Sequence, residues 1–344
     1  MKRLASSVTK LLRNEITPYF RHPDKKPLST QMRDIFRLWR YWKYVPYHYL
    51  THQLYAKGAS DDVLRFIPPA LIRRIQRSEN TGPQLEIARH KRKFEAHMVA
   101  HGLRCITPSW LVTADGRLLD AQDREVSFEE FRAASHDVEL FAKPVRGGEG
   151  RGIRALDAGH LTSEQLAGMA NTLIQPRVRQ HPDISRIYPH ALNTIRIDTF
   201  LDGDLVHHTG AALRIGAGGA TSDNWSTGGL AVGIDLETGR LFKRSYRKSK
   251  FPQTPFLYHP DSGIAFDSYQ LPFWPEVMEL VERAARTLPD LHCLCWDVGI
   301  AEDGPLLVET NDLGGMNILQ IPRGGIADSP LGRHAARKHG LRHG

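Results

Sequence analysis

Towards the C-terminal end the sequence runs Cys295-Trp-Asp-Val-Gly-Ile-Ala-Glu-Asp-Gly-Pro-Leu-Leu-Val-Glu-Thr-Asn311. Two apolar stretches flank a turn signal at Asp303-Gly304, the pattern of a β-hairpin. Folding the segment about Asp303 sets Asp297 opposite Glu309 and Cys295 opposite Asn311. The two-residue period of a strand brings Glu309 and Asn311 to one face, and Asp297 joins them across the ladder. Facing carboxylates repel, and the apolar neighbours Trp296, Val298, Leu307 and Val308 raise that cost by excluding water. A divalent cation between them makes the arrangement favourable. Two carboxylates and one amide oxygen suit magnesium, which keeps waters and takes phosphate oxygens at its remaining positions. The hairpin offers no His and no second sulfur for a softer metal. The plainer alternative is a pair of solvated carboxylates on a surface hairpin.

A second segment, Phe141-Ala-Lys-Pro-Val-Arg-Gly-Gly-Glu-Gly-Arg-Gly152, ends a strand with a lysine and continues into Gly147, Gly148, Gly150 and Gly152. Successive amides in a glycine-rich turn make a nest for an anion, and Lys143 adds a point charge for phosphate oxygens. It is not a P-loop, which needs Gly-Lys-Ser/Thr at its end, nor a dinucleotide fingerprint, whose glycines are spaced differently and open a helix. A protein-kinase loop has its glycines before the lysine. A flexible hairpin tip is the alternative. Together, the lysine loop and the carboxylate hairpin supply the two halves of a nucleotide triphosphate site.

Both segments need sheets to hold them. Strands are expected at Cys105–Thr113, Val138–Pro144, Ile153–Leu156, Leu173–Val178, Thr194–Phe200, Leu205–Leu213, Leu294–Ile300 and Leu306–Asn311. Helices are expected at 84–101, Leu161–Ala170 and Pro275–Leu288. This mixture predicts an α+β protein built on antiparallel sheets with helices packed on them. The 344 residues, 41% apolar and 24% charged, suit a folded chain and exclude a disordered or collagen-like one. No apolar stretch reaches the length of a spanning helix, and the start Met1-Lys2-Arg3 lacks the apolar core of a secretory signal. Three cysteines, Cys105, Cys293 and Cys295, suggest a reducing, cytoplasmic compartment.

The formal charge of +8 is concentrated. Residues 1–50 hold eleven Lys/Arg against three Asp/Glu, a balance equal to that of the whole chain. Within them, Met32, Ile35, Phe36, Trp39 and Trp42 recur at helical spacing over residues 31–45, with Arg33, Arg37, Arg40 and Lys43 mostly elsewhere on the wheel. The expectation is a helix that docks this apolar face on the main domain, the commoner use of such a face. The alternative is peripheral contact with the inner membrane surface. Nucleic acid is not an expected partner, because no recognition module accompanies the charge.

The combination resembles the ATP-grasp superfamily of carboxylate ligases, in particular its sugar-transfer-associated branch, related to glutamate ligases. The resemblance spans roughly residues 85–320. It implies the ATP-grasp fold: two antiparallel-sheet subdomains with helices clamping ATP, here behind a basic helical N-terminal extension. The implied division is residues 1–83, an ATP-grasp domain over 84–325 (flap about 103–178, catalytic part about 190–320), and a tail over 326–344. It implies metal ligation by Asp297, Glu309 and Asn311, with two magnesium ions, or manganese, beside ATP. Nucleotide contacts are implied for Lys91 (Lys93 as fallback), Lys143 and the glycine loop. The segment Leu173-Ile-Gln-Pro-Arg-Val178 resembles the linker that reads adenine, through Gln175 and Val178, with Asp183 as ribose partner. Arg196 matches arginines on the transferred phosphate, and Arg214-Ile-Gly, with Ser222-Asp-Asn-Trp-Ser-Thr-Gly-Gly229 and its Asn224, resembles a loop near the reacting centre.

The implied reaction joins a small-molecule or peptide carboxylate to an amine acceptor through an acyl phosphate, with a link to cell-surface polysaccharide or peptide modification. Two alternatives share the residues: a kinase that stops at phosphoryl transfer, and a nucleotide-binding scaffold at the membrane without turnover.

Overall fold

The computed structural model describes residues 12–147, 152–251 and 255–340. Eleven strands form two antiparallel sheets among these residues. In the first, β1 (Trp110–Val112), β2 (Leu118–Leu119), β3 (Leu140–Pro144), β4 (Arg154–Leu156) and β5 (Thr172–Pro176) take the order β2-β1-β5-β3-β4. In the second, β6 (Thr194–Asp202), β7 (Leu205–Ile215), β8 (Leu230–Ile234), β9 (Leu241–Tyr246), β10 (Cys293–Ala301) and β11 (Gly304–Asn311) take the order β11-β10-β6-β7-β8-β9. This is the expected α+β architecture of two antiparallel-sheet subdomains.

The second sheet is buried on both faces around β10, every residue of which is buried. Leu294, Trp296, Val298 and Ile300 point into a core with the helix Trp274–Arg286 and with Phe94 and Met98 of the helix Lys91–Ala100. Cys293 and Cys295, on the other face, meet Trp42, Tyr49, Leu71 and Ile75 from the N-terminal layer, and Ile326, Leu331 and Ala335 from the C-terminal end. The helix Pro330–Lys338 is held by the ion pair of Lys338 with Glu79 at 2.7 Å, and His334 Nε2 lies 3.2 Å from the same carboxylate. Residues before the first sheet and after the second thus build one layer over the same sheet face.

Three differences from the sequence expectation have local causes. The helix expected over 84–101 is two helices, Leu85–Arg89 and Lys91–Ala100, because His90 takes an extended conformation and its ring accepts from the Lys93 N–H. The hairpin turn spans Glu302-Asp303, and a bulge between β10 and β11 restores the pairing of Asp297 with Glu309 and of Cys295 with Asn311. The docked face of the helix Leu28–Trp42 carries Gln31, Asp34, Leu38 and Trp42, while Met32, Ile35, Phe36 and Trp39 face outward. Docking by the apolar stripe is therefore overturned: of that stripe only Trp42 packs inward.

Asn80 fastens the N-terminal layer to the sheet. Its amide donates to the carbonyls of Cys293 and Asp312, both at 2.7 Å, and its oxygen accepts from the Cys293 N–H at 2.8 Å. Asn80→Ala leaves buried backbone groups unpaired. It should lower unfolding stability by about 2–4 kcal/mol in denaturant titration; a loss below about 0.5 kcal/mol would contradict this role.

Candidate active site

Asp297 lies on the face of β10 opposite the Trp296 core and is 1% exposed. It sits between Glu309 on β11 and Arg196 on β6. Arg196 donates to it twice, Nε to Oδ1 at 2.5 Å and Nη2 to Oδ2 at 3.2 Å. Arg214, on β7, brings Nη2 to 3.0 Å from Asp297 Oδ2 and donates from Nε to Asp223 Oδ2 at 3.2 Å. Thr194 completes the chain by donating its N–H to Asp223 at 3.1 Å while its hydroxyl oxygen accepts from Arg214. Burial works to raise the Asp297 carboxyl, but the two guanidinium charges outweigh it and hold the group below the ordinary aspartate value. Burial raises Asp223, with Arg214 and Thr194 only partly opposing it. One row along β6, burial pushes Asp198 up to about 7 against the pull of Arg196.

The first sheet supplies cations from the other side. Lys143, near the end of β3, is 8% exposed. Burial lowers its ammonium to about 8; Glu309 opposes the shift and Lys91 adds to it. Lys91 opens its helix because of the break at His90, and its N–H is anchored on the Val145 carbonyl at 2.9 Å. Its ammonium donates to the Gly147 carbonyl at 2.6 Å and stands 3.7 Å from Glu309 Oε2. Gly147 holds this carbonyl with φ +111°, a conformation that favours glycine. Asn311 donates from Nδ2 to Glu309 Oε1 at 3.4 Å. Lys91, Arg146, Gly147, Glu309 and Asn311 line a cavity of about 310 Å³.

Asp297, Glu309, Asn311, Lys91, Lys143 and Arg196 therefore meet at the junction of the two sheets. Lys93 instead pairs with Glu86 at 3.1 Å. Arg196, expected on a phosphate, grips Asp297 here. The Gln175 amide donates to buried Glu95 at 2.6 Å and to the Ile106 carbonyl at 3.1 Å. Val178 packs with Ile106, Leu306 and Val308. Asp183 is set apart in the short helix Pro182–Ile187, its carboxylate near His181 and Arg186. Asn224 caps the turn Trp225–Thr227 by accepting from the Ser226 N–H at 2.8 Å. Gly152 follows the loop against Pro144; Gly148 and Gly150 lie outside the described residues.

The resemblance set the segments of Arg214 and Asp223 near the reacting centre but gave neither side chain a partner. Strand parity carried the signal for Arg214: Ala212 faces Arg196, so Arg214 lies two residues along on the same face. For Asp223 no spacing rule applied, because it stands on a loop.

Among the described residues no three His, Cys, Asp or Glu side chains form a metal cage. The set at hand is two carboxylates and an amide, with the Asp297 and Glu309 side chains within hydrogen-bonding reach of each other. These oxygen donors fit a hard divalent cation. Arg196, Arg214, Lys91 and Lys143 outnumber Asp297, Glu309 and Asp223, a balance that attracts an anion.

Residues 161–329 match the family described as sugar-transfer associated ATP-grasp. The match takes in just under half of the chain, and Lys91 and Lys143 stand outside it. No curated protein matches the sequence. Among solved structures, the ATP-grasp ligase PsnB, bound to a phosphomimetic variant of its minimal precursor, Mg and ADP, is similar at 16% identity and TM-score 0.41, over 75% of this chain and 60% of that one. The L-amino acid ligase of Bacillus licheniformis is similar at 12% identity and TM-score 0.39, over 70% and 44%. Carboxyaminoimidazole ribonucleotide synthase of Aspergillus clavatus, bound to ATP, is similar at 10% identity and TM-score 0.41, over 68% and 47%. The chain spans about 60% of the length of the first of these.

The Lys143 environment is directly measurable. In the protein labelled with ¹³C-lysine, one ammonium should titrate near pH 8 and vanish in Lys143→Arg. Because Glu309 favours the charged form, Glu309→Gln should move that titration lower still. All lysines titrating near the ordinary value of about 10.4 would refute the burial argument.

Proposed function

We propose that this protein is an ATP-dependent carboxylate–amine ligase working through an acyl phosphate. The observation that carries this reading is the approach of Lys91 and Lys143 to Glu309 beside the Arg196–Asp297–Arg214 clamp. Such a group has the charge to hold a triphosphate and to stabilise the transferring phosphoryl group. Asp297, Glu309 and Asn311 would hold magnesium, or manganese, which when bound neutralises phosphate charge and orients the phosphoryl group.

In the proposed sequence a substrate carboxylate oxygen bonds to the γ-phosphorus, and the bond from that phosphorus to the β–γ bridging oxygen breaks, releasing ADP. The amine nitrogen then bonds to the acyl carbon and phosphate leaves, taking up the amine proton. Lys143 and Lys91 neutralise the phosphates of the bound nucleotide. Arg196 and Arg214, which flank Asp297, stabilise charge on the transferred group. Gly147–Gly152 closes over the phosphates and excludes water from the acyl phosphate. Gln175 and Val178 border the adenine, and Asn224 borders the acceptor. The carboxylate is a small molecule or a peptide terminus or side chain, and a setting in cell-surface polysaccharide or peptide modification follows from the branch alone.

The test is ADP release across a panel of carboxylates, with hydroxylamine replacing the amine to trap an acyl phosphate as a hydroxamate. Hydroxamate should form only with ATP, magnesium and a carboxylate. Asp297→Asn and Lys143→Met should each lower the rate on the order of a hundredfold or more. A stable phosphorylated product without hydroxamate would make the protein a kinase instead. An Asp297→Asn variant at wild-type rate would exclude the site.

A further inference from the structure

The ATP site makes no use of the outer face of the helix Leu28–Trp42. The inner face is buried at Gln31, Asp34, Leu38 and Trp42, and it is partly polar. Gln31 donates to the Lys26 carbonyl at 2.7 Å and accepts from the Tyr19 hydroxyl at 3.0 Å, and Asp34 lies 3.6 Å from the Lys26 ammonium. The outer face carries the large apolar side chains. Leu28 is 71% exposed, Met32 70%, Ile35 40%, Phe36 56% and Trp39 54%. At 3.6 residues per turn these five fall within an arc of roughly 100°. Phe20 and Val45, 73% and 76% exposed, stand just before and just after the helix. The next arc round the helix holds Arg33, Arg37 and Arg40, and the exposed Lys43 follows the helix.

We infer that this face lies on an anionic lipid bilayer, with the helix in the membrane plane. Three observations select this occupant. The apolar arc is bordered by a basic arc, so the aromatic and aliphatic side chains can enter the headgroup boundary while the guanidinium groups stay with lipid phosphates. The entire formal charge of the chain resides in the segment that carries this face. A second copy is disfavoured in the antiparallel arrangement, because a two-fold contact of that kind would set the Arg33, Arg37 and Arg40 arcs of both copies on one flank. The contact is peripheral, since among the described residues no helix is long and apolar enough to cross a membrane. This inference is independent of the ligase reading.

Flotation of the full chain with vesicles tests it. Vesicles of phosphatidylcholine mixed with phosphatidylglycerol should carry the protein upward, and vesicles of phosphatidylcholine alone should carry far less. Raising the salt from about 0.1 M to about 1 M should weaken binding, because screening then acts within about 3 Å rather than about 10 Å. The exposed positions make two variants safe for folding, to be checked by thermal melting. Phe36→Ser with Trp39→Ser should abolish flotation. Arg33→Gln with Arg37→Gln and Arg40→Gln should weaken it roughly a hundredfold. Absence of flotation by the unaltered protein, or flotation unchanged by Phe36→Ser with Trp39→Ser, would overturn the inference. A dimer in solution that dissociates in that variant, without vesicle binding, would assign the face to a second copy.

Discussion

The site depends on one interaction, the burial of the Asp297 carboxylate between two arginines. Removing a carboxylate from water costs several kcal/mol even after relaxation. One guanidinium about 4 Å away returns about 4 kcal/mol at an effective dielectric near 20. A single arginine therefore roughly balances desolvation, and the second tips the carboxyl toward its charged form. Together the two guanidinium groups hold the Asp297 carboxyl below its ordinary value. The clamp also fixes the face on which chemistry can occur. Arg196 and Arg214 come from neighbouring strands, and both side chains are mostly buried. Their orientation is set by the sheet before any ligand arrives, which is what electrostatic stabilisation of a transferring group requires.

The sheet can hold such a charged row because its two faces do different work. The residues of β10 alternate between an apolar core and a face that is apolar at Cys293 and Cys295 and charged at Asp297. The N-terminal and C-terminal helices cover the apolar part and stop short of the charged part. That boundary places Asp297 in a low-dielectric wall beside the cavity that Glu309 and Asn311 line. Lys143 sees the same wall from the first sheet, which is why its ammonium is lowered to about 8 while Lys91, nearer the cavity, bridges Glu309 to Gly147. The two sheets are thus joined at the site by charge as well as by the apolar contact of Val178 with Leu306 and Val308.

Much of this was legible because it is local. The Asp297–Glu309 pairing follows from strand parity and a turn signal, and it survives although the turn lies half a residue from the expected centre. The bulge absorbs the difference. The position of Lys143 follows from a strand end; that of Lys91 was implied by the resemblance alone, and its place at a helix start depends on the break at His90, which periodicity did not show. What was not legible is the partner of each charge. Arg196 meets Asp297 because β6 lies beside β10, an adjacency between strands about a hundred residues apart that no spacing encodes. Glu95, Asp198 and Asp223 are likewise buried by elements remote in sequence. Strands β8 and β9 escaped notice because Leu230–Ile234 is a uniform apolar run and Leu241–Tyr246 mixes basic with apolar residues.

The helix Leu28–Trp42 shows a different limit. Periodicity finds an apolar stripe but does not say what the stripe faces. Here the fold buries Gln31 and Asp34 with specific partners and leaves Met32, Phe36 and Trp39 in water. A rotation of about a quarter turn would bury the apolar stripe, yet it would strand Leu38 and break the contacts of Gln31 with Tyr19 and Lys26. The inner positions are therefore specified, by hydrogen bonds and by the fully buried Leu38 and Trp42. Sequences whose local choices conflict with the fold usually do so where another demand acts on the same residues. A helix that is specified on its polar side and apolar on its free side meets two surfaces at once, one inside the protein and one outside it.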